Sequence, residues 1–172
     1  MLTYPEILAG ASAIAAEAAQ LLARMQSAPR AATRKELNDV VTDADLAAEK
    51  SVLAGIARLT PGAAILSEEA GALAGSAVER WIVDPLDGTV NYAARLPWFS
   101  VTLAYQRDGV TRAGVVHAPA VPLVATWAEG EGARIGQDVG HLVDLVVLRG
   151  VAHLRTTRAG RVHGILRRHE LT

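Results

Sequence analysis

The stretch Trp81-Ile82-Val83-Asp84-Pro85-Leu86-Asp87-Gly88-Thr89-Val90-Asn91-Tyr92 concentrates residue types that handle metal ions and phosphate. A short apolar strand delivers Asp84 to its carboxyl end, and Pro85 fixes the backbone so that Asp84 and Asp87 face one point across a tight turn. Two carboxylates and a free carbonyl at Leu86 are the hard oxygen ligands that Mg²⁺ prefers. Gly88 lets the main chain approach a ligand closely. A helix starting at Thr89 aims its first N–H groups at the same spot, which suits a phosphate. Metal and phosphate sites side by side describe phosphoryl chemistry. Pro-x-Asp-Gly is also ordinary turn composition, so this segment alone does not choose between a turn and a site.

More acid stands nearby. Ser67-Glu68-Glu69 closes the preceding strand and brings a third and a fourth carboxylate beside Asp84. Asn38-Asp39-Val40-Val41-Thr42-Asp43-Ala44-Asp45 adds carboxylates at the start of a helix, where capping and a favourable helix dipole are the simpler reading.

The elements that must position these residues follow from periodicity. Ile7, Leu8, Ala11, Ile14, Ala15, Ala18, Leu21, Leu22 and Met25 form one apolar stripe at helical spacing, opened by a Thr3/Glu6 capping box and closed by Ser27-Ala28-Pro29. Arg30 to Asn38 reads as a polar connection. A second helix is expected from Thr42 to about Leu59, burying Leu46, Leu53 and Ile56, before Pro61-Gly62 breaks it. Ala63 to Ser67 and Arg80 to Val83 read as short strands. Phe99, Val101, Leu103 and Tyr105 alternate with Ser100, Thr102, Ala104 and Gln106, the period of a half-buried strand. Asp108-Gly109 is a hairpin signal leading into Val110 to His117, and Val121 to Trp127 is a further strand. The expected class is α+β, two long helices packed on an antiparallel sheet.

In order and approximate spacing, Lys35, Asp39-x-Val41-Thr42-x-x-Asp45, Ser67-Glu68-Glu69 and the Asp84–Tyr92 segment resemble the inositol monophosphatase family. The resemblance runs over about residues 5–133, including Gly114-Val115-Val116 and Gly130-Glu131-Gly132-Ala133. It implies the N-terminal part of that family's layered fold and a Mg²⁺-dependent, lithium-sensitive phosphomonoesterase. Glu68, Asp84 and the Leu86 carbonyl would then hold a first Mg²⁺, and Asp84 with Asp87 a second. Glu69 would keep the acidic cluster in place, and Asp45 with Thr89 would position the attacking water. The Gly88 and Thr89 amides would take the phosphate, with Lys35 nearby in a mobile loop. The substrate implied is a small phosphorylated polyol or related metabolite, with a homodimer implied on the same ground. Within the enzyme class the alternatives are histidinol phosphate, nucleotide bisphosphate and fructose bisphosphate phosphatases. Outside it stands a non-catalytic remnant that binds metal or phosphate without turnover.

The chain also departs from the family. The Trp-Asp-x-Ala-Ala/Gly motif that supplies a further metal ligand is absent from the sequence. Residues 1–133 carry 10 basic and 15 acidic side chains, whereas residues 134–172 carry 7 and 3, with four of the five histidines. That change divides the expected domain plan: a metal- and phosphate-binding portion at 1–133 and a divergent basic tail at 134–172, read as a truncated or frame-shifted end with very low activity expected. Leu142 to Leu148 is a candidate strand within it.

The bulk composition excludes several classes. Length suits one globular domain or slightly more. With no cysteine there is no disulfide framework, thiolate zinc site or cysteine nucleophile. A net charge of -1 and a pI near 6.5 argue against nucleic acid as a partner. No apolar run approaches the ~18 residues of a membrane span, and Glu6 and Glu17 interrupt the N-terminal stretch, so no membrane partner and a cytoplasmic location are expected.

Overall fold

Thr3 begins the chain's first element as the sequence requires. Its side chain accepts from the Glu6 amide while the Glu6 carboxylate accepts from the Thr3 amide, a closed capping box. In the computed structural model, which describes residues 1–28, 34–121, 123–136 and 138–139 (side chains for 1–28, 43–121 and 123–136), α1 then spans Tyr4–Ser27. Its stripe of Ile7, Ala11, Ile14, Ala15, Ala18, Ala19 and Leu22 is buried. By length and composition α1 would qualify as a membrane span, contrary to the expectation that no stretch comes close. Alanines are the reason: they raise the apolar content without forming a bulky run, and here that face lies in the core.

The second helix, α2, spans Arg34–Leu59 and so begins well before Thr42. Polarity between Arg30 and Asn38 misled the sequence reading, since Arg, Lys, Glu and Leu are good helix formers and no glycine or proline follows Pro29 there. Its buried face is also different. Ala44, Asp45, Ala48, Glu49, Val52 and Ile56 are buried, while Leu46 is 54% exposed and Leu53 is only half-buried. The packing phase is set by small residues: a Cβ on Gly55 would lie 2.7 Å from Ile14 Cγ1, so the Ile14 side chain of α1 packs directly on the α2 backbone there.

Among the described residues, eight strands form one sheet in the order β2-β1-β3-β4-β5-β6-β7-β8. They are β1 Ala64–Ser67, β2 Gly71–Leu73, β3 Glu79–Asp87, β4 Ser100–Arg107, β5 Val110–Ala118, β6 Leu123–Ala128, β7 Gly132–Ile135 and β8 Asp138–Val139; the short helix α3, Thr89–Ala93, follows β3. The class is the expected α+β, and the β4–β8 meander is antiparallel throughout. The exception is β1, which pairs parallel to β3 because the β2 hairpin returns the chain past its edge. The hairpin between β4 and β5 turns at Asp108 and Gly109, both at positive φ, the backbone that an Asp-Gly pair tolerates best.

The sheet carries side chains into two cores. Trp81, Val83, Val101, Leu103 and Tyr105 pack against the helices, and the Trp81 indole donates to the buried Thr60 hydroxyl at 2.8 Å. Ile82, Ala104, Ala125 and Ala133 form a second cluster. Thus β4 is buried on both faces rather than half-buried, with Ser100 and Thr102 at 7% and 9% exposure. Alternation along a strand reveals which residues share a face, not whether that face is wet. At the start of α1, the Tyr4 ring lies 5.3 Å from the Arg107 guanidinium and 5.7 Å from that of Arg112, which ties the helix to the β4–β5 hairpin. Residues 140–172, including the candidate strand at Leu142 to Leu148, lie outside the described residues.

Candidate functional site

Asp84 and Asp87 are three residues apart, a spacing that sends side chains to opposite faces of a regular strand. The register with β4 removes that difficulty. Asp84 pairs with Thr102 and Asp87 with Ser100, so three steps on β3 match two on β4. The extra residue is a bulge at Pro85-Leu86, where proline's missing N–H costs the ladder nothing. Both aspartates therefore face the side occupied by Ser100 and Thr102, and the Ser100 hydroxyl donates to Asp87 Oδ2 at 3.4 Å.

Glu68 joins them from the turn after β1. Its amide donates to the Val83 carbonyl at 3.1 Å, which continues the parallel pairing and leaves Glu68 on the same side as Asp84. Asp84 is 6% exposed, and one of its carboxylate oxygens, Oδ1, is buried without a hydrogen-bond partner. Burial first, then the charges of Glu68 and Asp87, push the Asp84 carboxyl up to about 9, despite a hydrogen bond from the Leu86 amide. Asp87 is also raised, by burial, against hydrogen bonds from Ser100 and the Gly88 amide.

A second acidic group arrives from α2. Asp45 is 8% exposed, and burial together with Glu69, Glu68 and Glu49 raises it to about 7. Glu69 is exposed on the turn, its charge directed at Asp45 rather than Asp84. Glu49, one helical turn beyond Asp45, was not singled out in the sequence; the i, i+4 spacing of Asp45 and Glu49 was the signal that pointed to it. Ser67 and Ser100, which hydrogen-bond Glu49 and Asp87, carried no such signal.

Beyond Asp87 the chain bends through Gly88 at φ 88 into α3. A Cβ on Gly88 would lie 2.7 Å from the Trp98 carbonyl oxygen, because the Asn91 side chain donates to that oxygen at 2.9 Å and holds the following loop against the turn. The Thr89 hydroxyl donates to the Leu86 carbonyl at 3.1 Å rather than to Asp45. Lys35 belongs to the backbone of α2, not to a loop, and its side chain lies outside the described residues, as do those of Asp39, Val41 and Thr42.

Chemically this is a cluster of hard carboxyl oxygens with one buried acceptor unsatisfied. Such a group is destabilised unless protons or cations neutralise it. Among the described residues, no three His, Asp or Glu side chains are gathered closely enough to grip one ion as they stand.

Comparison with known proteins places this arrangement. The chain is 40% identical over 124 residues to the inositol-1-monophosphatase of Mesorhizobium japonicum, covering 67% of this chain and 46% of that protein. It is 42% identical over 104 residues to the Nus factor SuhB of Pasteurella multocida, covering 60% and 39%. The chain thus spans less than half the length of these relatives. Among solved structures, it resembles the inositol monophosphatase of Anabaena (TM-score 0.64, 34% identity, 77% of this chain and 48% of that one). The extragenic suppressor protein suhB of Bartonella henselae is similar too (TM-score 0.69, 29% identity, 77% and 52%). The family description "Inositol monophosphatase family" matches residues 4–167, a span that crosses the compositional change near residue 134. With 164 of its residues inside that match, the chain belongs to the inositol monophosphatase family.

Proposed function

We propose that this chain carries the cation- and phosphate-binding part of a Mg²⁺-dependent phosphomonoesterase acting on a small phosphorylated polyol such as inositol monophosphate. The observation that carries the reading is the buried, unpartnered Oδ1 of Asp84 among the Glu68 and Asp87 carboxylates. A divalent cation satisfies that oxygen and offsets the mutual repulsion at once. Glu68, Asp84 and the Leu86 carbonyl are the residues that would hold one ion; Asp84 and Asp87 would share a second. When bound, the ions supply positive charge to phosphoryl oxygens and make water more acidic.

The chain's own residues do the rest. Asp45 and Glu69 lie at the α2 side of the cluster, where Asp45 is the carboxyl suited to take a proton from the attacking water. The Gly88 and Thr89 amides, with the Thr89 hydroxyl, would take the phosphate. The Leu86 carbonyl has two lone pairs, so accepting from Thr89 still leaves one for a cation. Lys35 would add positive charge near the phosphate.

The test is calorimetric titration of the wild type and Asp84→Asn with Mn²⁺, beside a phosphate-release assay on inositol monophosphate. Binding by the wild type alone is the expected result. Binding with release establishes a phosphatase, and binding without release establishes a cation-binding chain without turnover. No binding by the wild type overturns the metal reading.

A further inference from the structure

Glu49 is a carboxylate with only 7% exposure, and none of the roles assigned above uses it. Its Oε1 accepts two hydrogen bonds, from the Ser67 hydroxyl at 2.6 Å and from the Ala70 amide at 2.8 Å. These two donors bracket Glu68 and Glu69 in the chain. Between them, the Glu68 amide is held by the Val83 carbonyl at 3.1 Å. The turn that carries both acids is thus fixed before, within and after them, and two of the three attachments converge on a single oxygen of α2.

The choice of a charged acceptor here runs against local electrostatics. Glu49 adds its negative charge to those of Glu68 and Glu69 around Asp45. A neutral amide would accept from the same donors without that repulsion. What the carboxylate adds is strength, because a charge-assisted hydrogen bond is roughly twice as strong as a neutral one. Firmness of the turn matters only if the position of what it carries matters. Glu68 must reach Asp84 on the neighbouring strand, and a turn free to move would let it drift away from that contact.

We propose that Glu49 is a positioning residue: it touches neither cation nor phosphate, but fixes the Ser67–Ala70 turn so that Glu68 meets Asp84 and Glu69 faces Asp45. This rests on the cation reading above. It also joins the two acidic groups mechanically, since Glu49 and Asp45 ride on one face of one helix.

The experiment is Mn²⁺ titration of the full chain by calorimetry for the wild type, Glu49→Ala, Glu49→Gln and Ser67→Ala, with circular dichroism as the check on folding. Loss of an outer-shell partner commonly weakens metal affinity about 10–100-fold, and Glu49→Ala should fall in that range. Glu49→Gln keeps an oxygen for both donors and should retain most of the affinity, losing only what charge assistance adds, a partial rescue that a role through charge alone does not allow. Ser67→Ala removes one of the two hydrogen bonds and should fall between them. If Glu49→Ala fails to fold, the Gln and Ser67→Ala variants carry the test: affinity unchanged in Ser67→Ala, or strongly lost in Glu49→Gln, overturns the proposal. Wild-type affinity retained in a folded Glu49→Ala overturns it as well. A wild type without Mn²⁺ affinity overturns the cation reading, and this proposal with it.

Discussion

Glu68 and Asp84 stand on neighbouring parallel segments, the Glu68 amide donating to the Val83 carbonyl at 3.1 Å, and the charge of Glu68 disfavours ionisation of Asp84, whose Oδ1 is buried and unpartnered. A carboxyl buried beside like charges favours its protonated form, so a divalent ion that binds Asp84 competes with a proton there.

Replacing Asp84 separates these effects. Asp84→Asn replaces a carboxyl that is costly to ionise where it is buried beside Glu68 and Asp87, so in buffer with EDTA its thermal midpoint should rise by a few degrees, about 1 kcal/mol or less. Mn²⁺ at about 100 times its dissociation constant should stabilise the wild type by ~2.7 kcal/mol and leave Asp84→Asn unmoved. Thermal denaturation with and without EDTA reads both. An Asn variant that is less stable without metal, yet still stabilised by Mn²⁺, would contradict the assignment.

Gly88 is constrained twice, by a positive φ and by the Trp98 carbonyl. Gly88→Ala should lower stability by about 1–3 kcal/mol in urea titration. It should also weaken Mn²⁺ binding by displacing Asp87, its chain neighbour. Asn91→Ala, which frees the Trp98 carbonyl, should partly relieve Gly88→Ala in the double variant. Strict additivity of the two would show that the loop does not press on the turn.

Glu79 accepts from the Arg107 guanidinium at 2.9 Å and from the Tyr105 hydroxyl. The Tyr105 hydrogen bond is the larger cause that holds its carboxyl below the usual range, with Arg107 second. A carboxyl depressed in the folded state contributes fully above its unfolded value of 4.5, and loses that contribution as pH falls through the lower folded value. Stability of Glu79→Gln measured from pH 6 to pH 2.5 should thus decline less steeply than the wild type below about pH 4.5. Identical slopes would remove Glu79 from the acid response.

Burial separates two aliphatic residues of α2. Ile56 is 1% exposed and Leu46 is 54% exposed. Ile56→Ala should cost about 2–5 kcal/mol, and Leu46→Ala about 0.5 kcal/mol or less. Urea midpoints of the two variants check this, and a large effect at Leu46 would mean that its surroundings cover more than the structure describes.

Local chemistry was legible in the sequence wherever a few neighbouring residues decide it. The Thr3/Glu6 capping box, the alanine-rich stripe of α1, the Asp108-Gly109 hairpin and the turn into α3 at Thr89 all follow from contacts within about four residues. So does the family resemblance, since Asp84-Pro85-Leu86-Asp87-Gly88-Thr89 is one contiguous segment. What tertiary structure decided involves partners far apart in the chain. Leu46 faces outward because Gly55 and a line of alanines set how α2 meets α1, and no period within α2 alone shows that choice. Both faces of β4 are buried because Ala125 and Ala133 arrive from β6 and β7. Asp84 and Asp87 share a face only through a bulge defined by the register of β4. Glu49 becomes visible once α2 lies over the Ser67–Ala70 turn, 18 residues from the hydroxyl it receives. Hydrogen bonds and packing between distant segments depend on geometry in three dimensions, whereas the spacing of residues along one segment is all that the sequence displays directly.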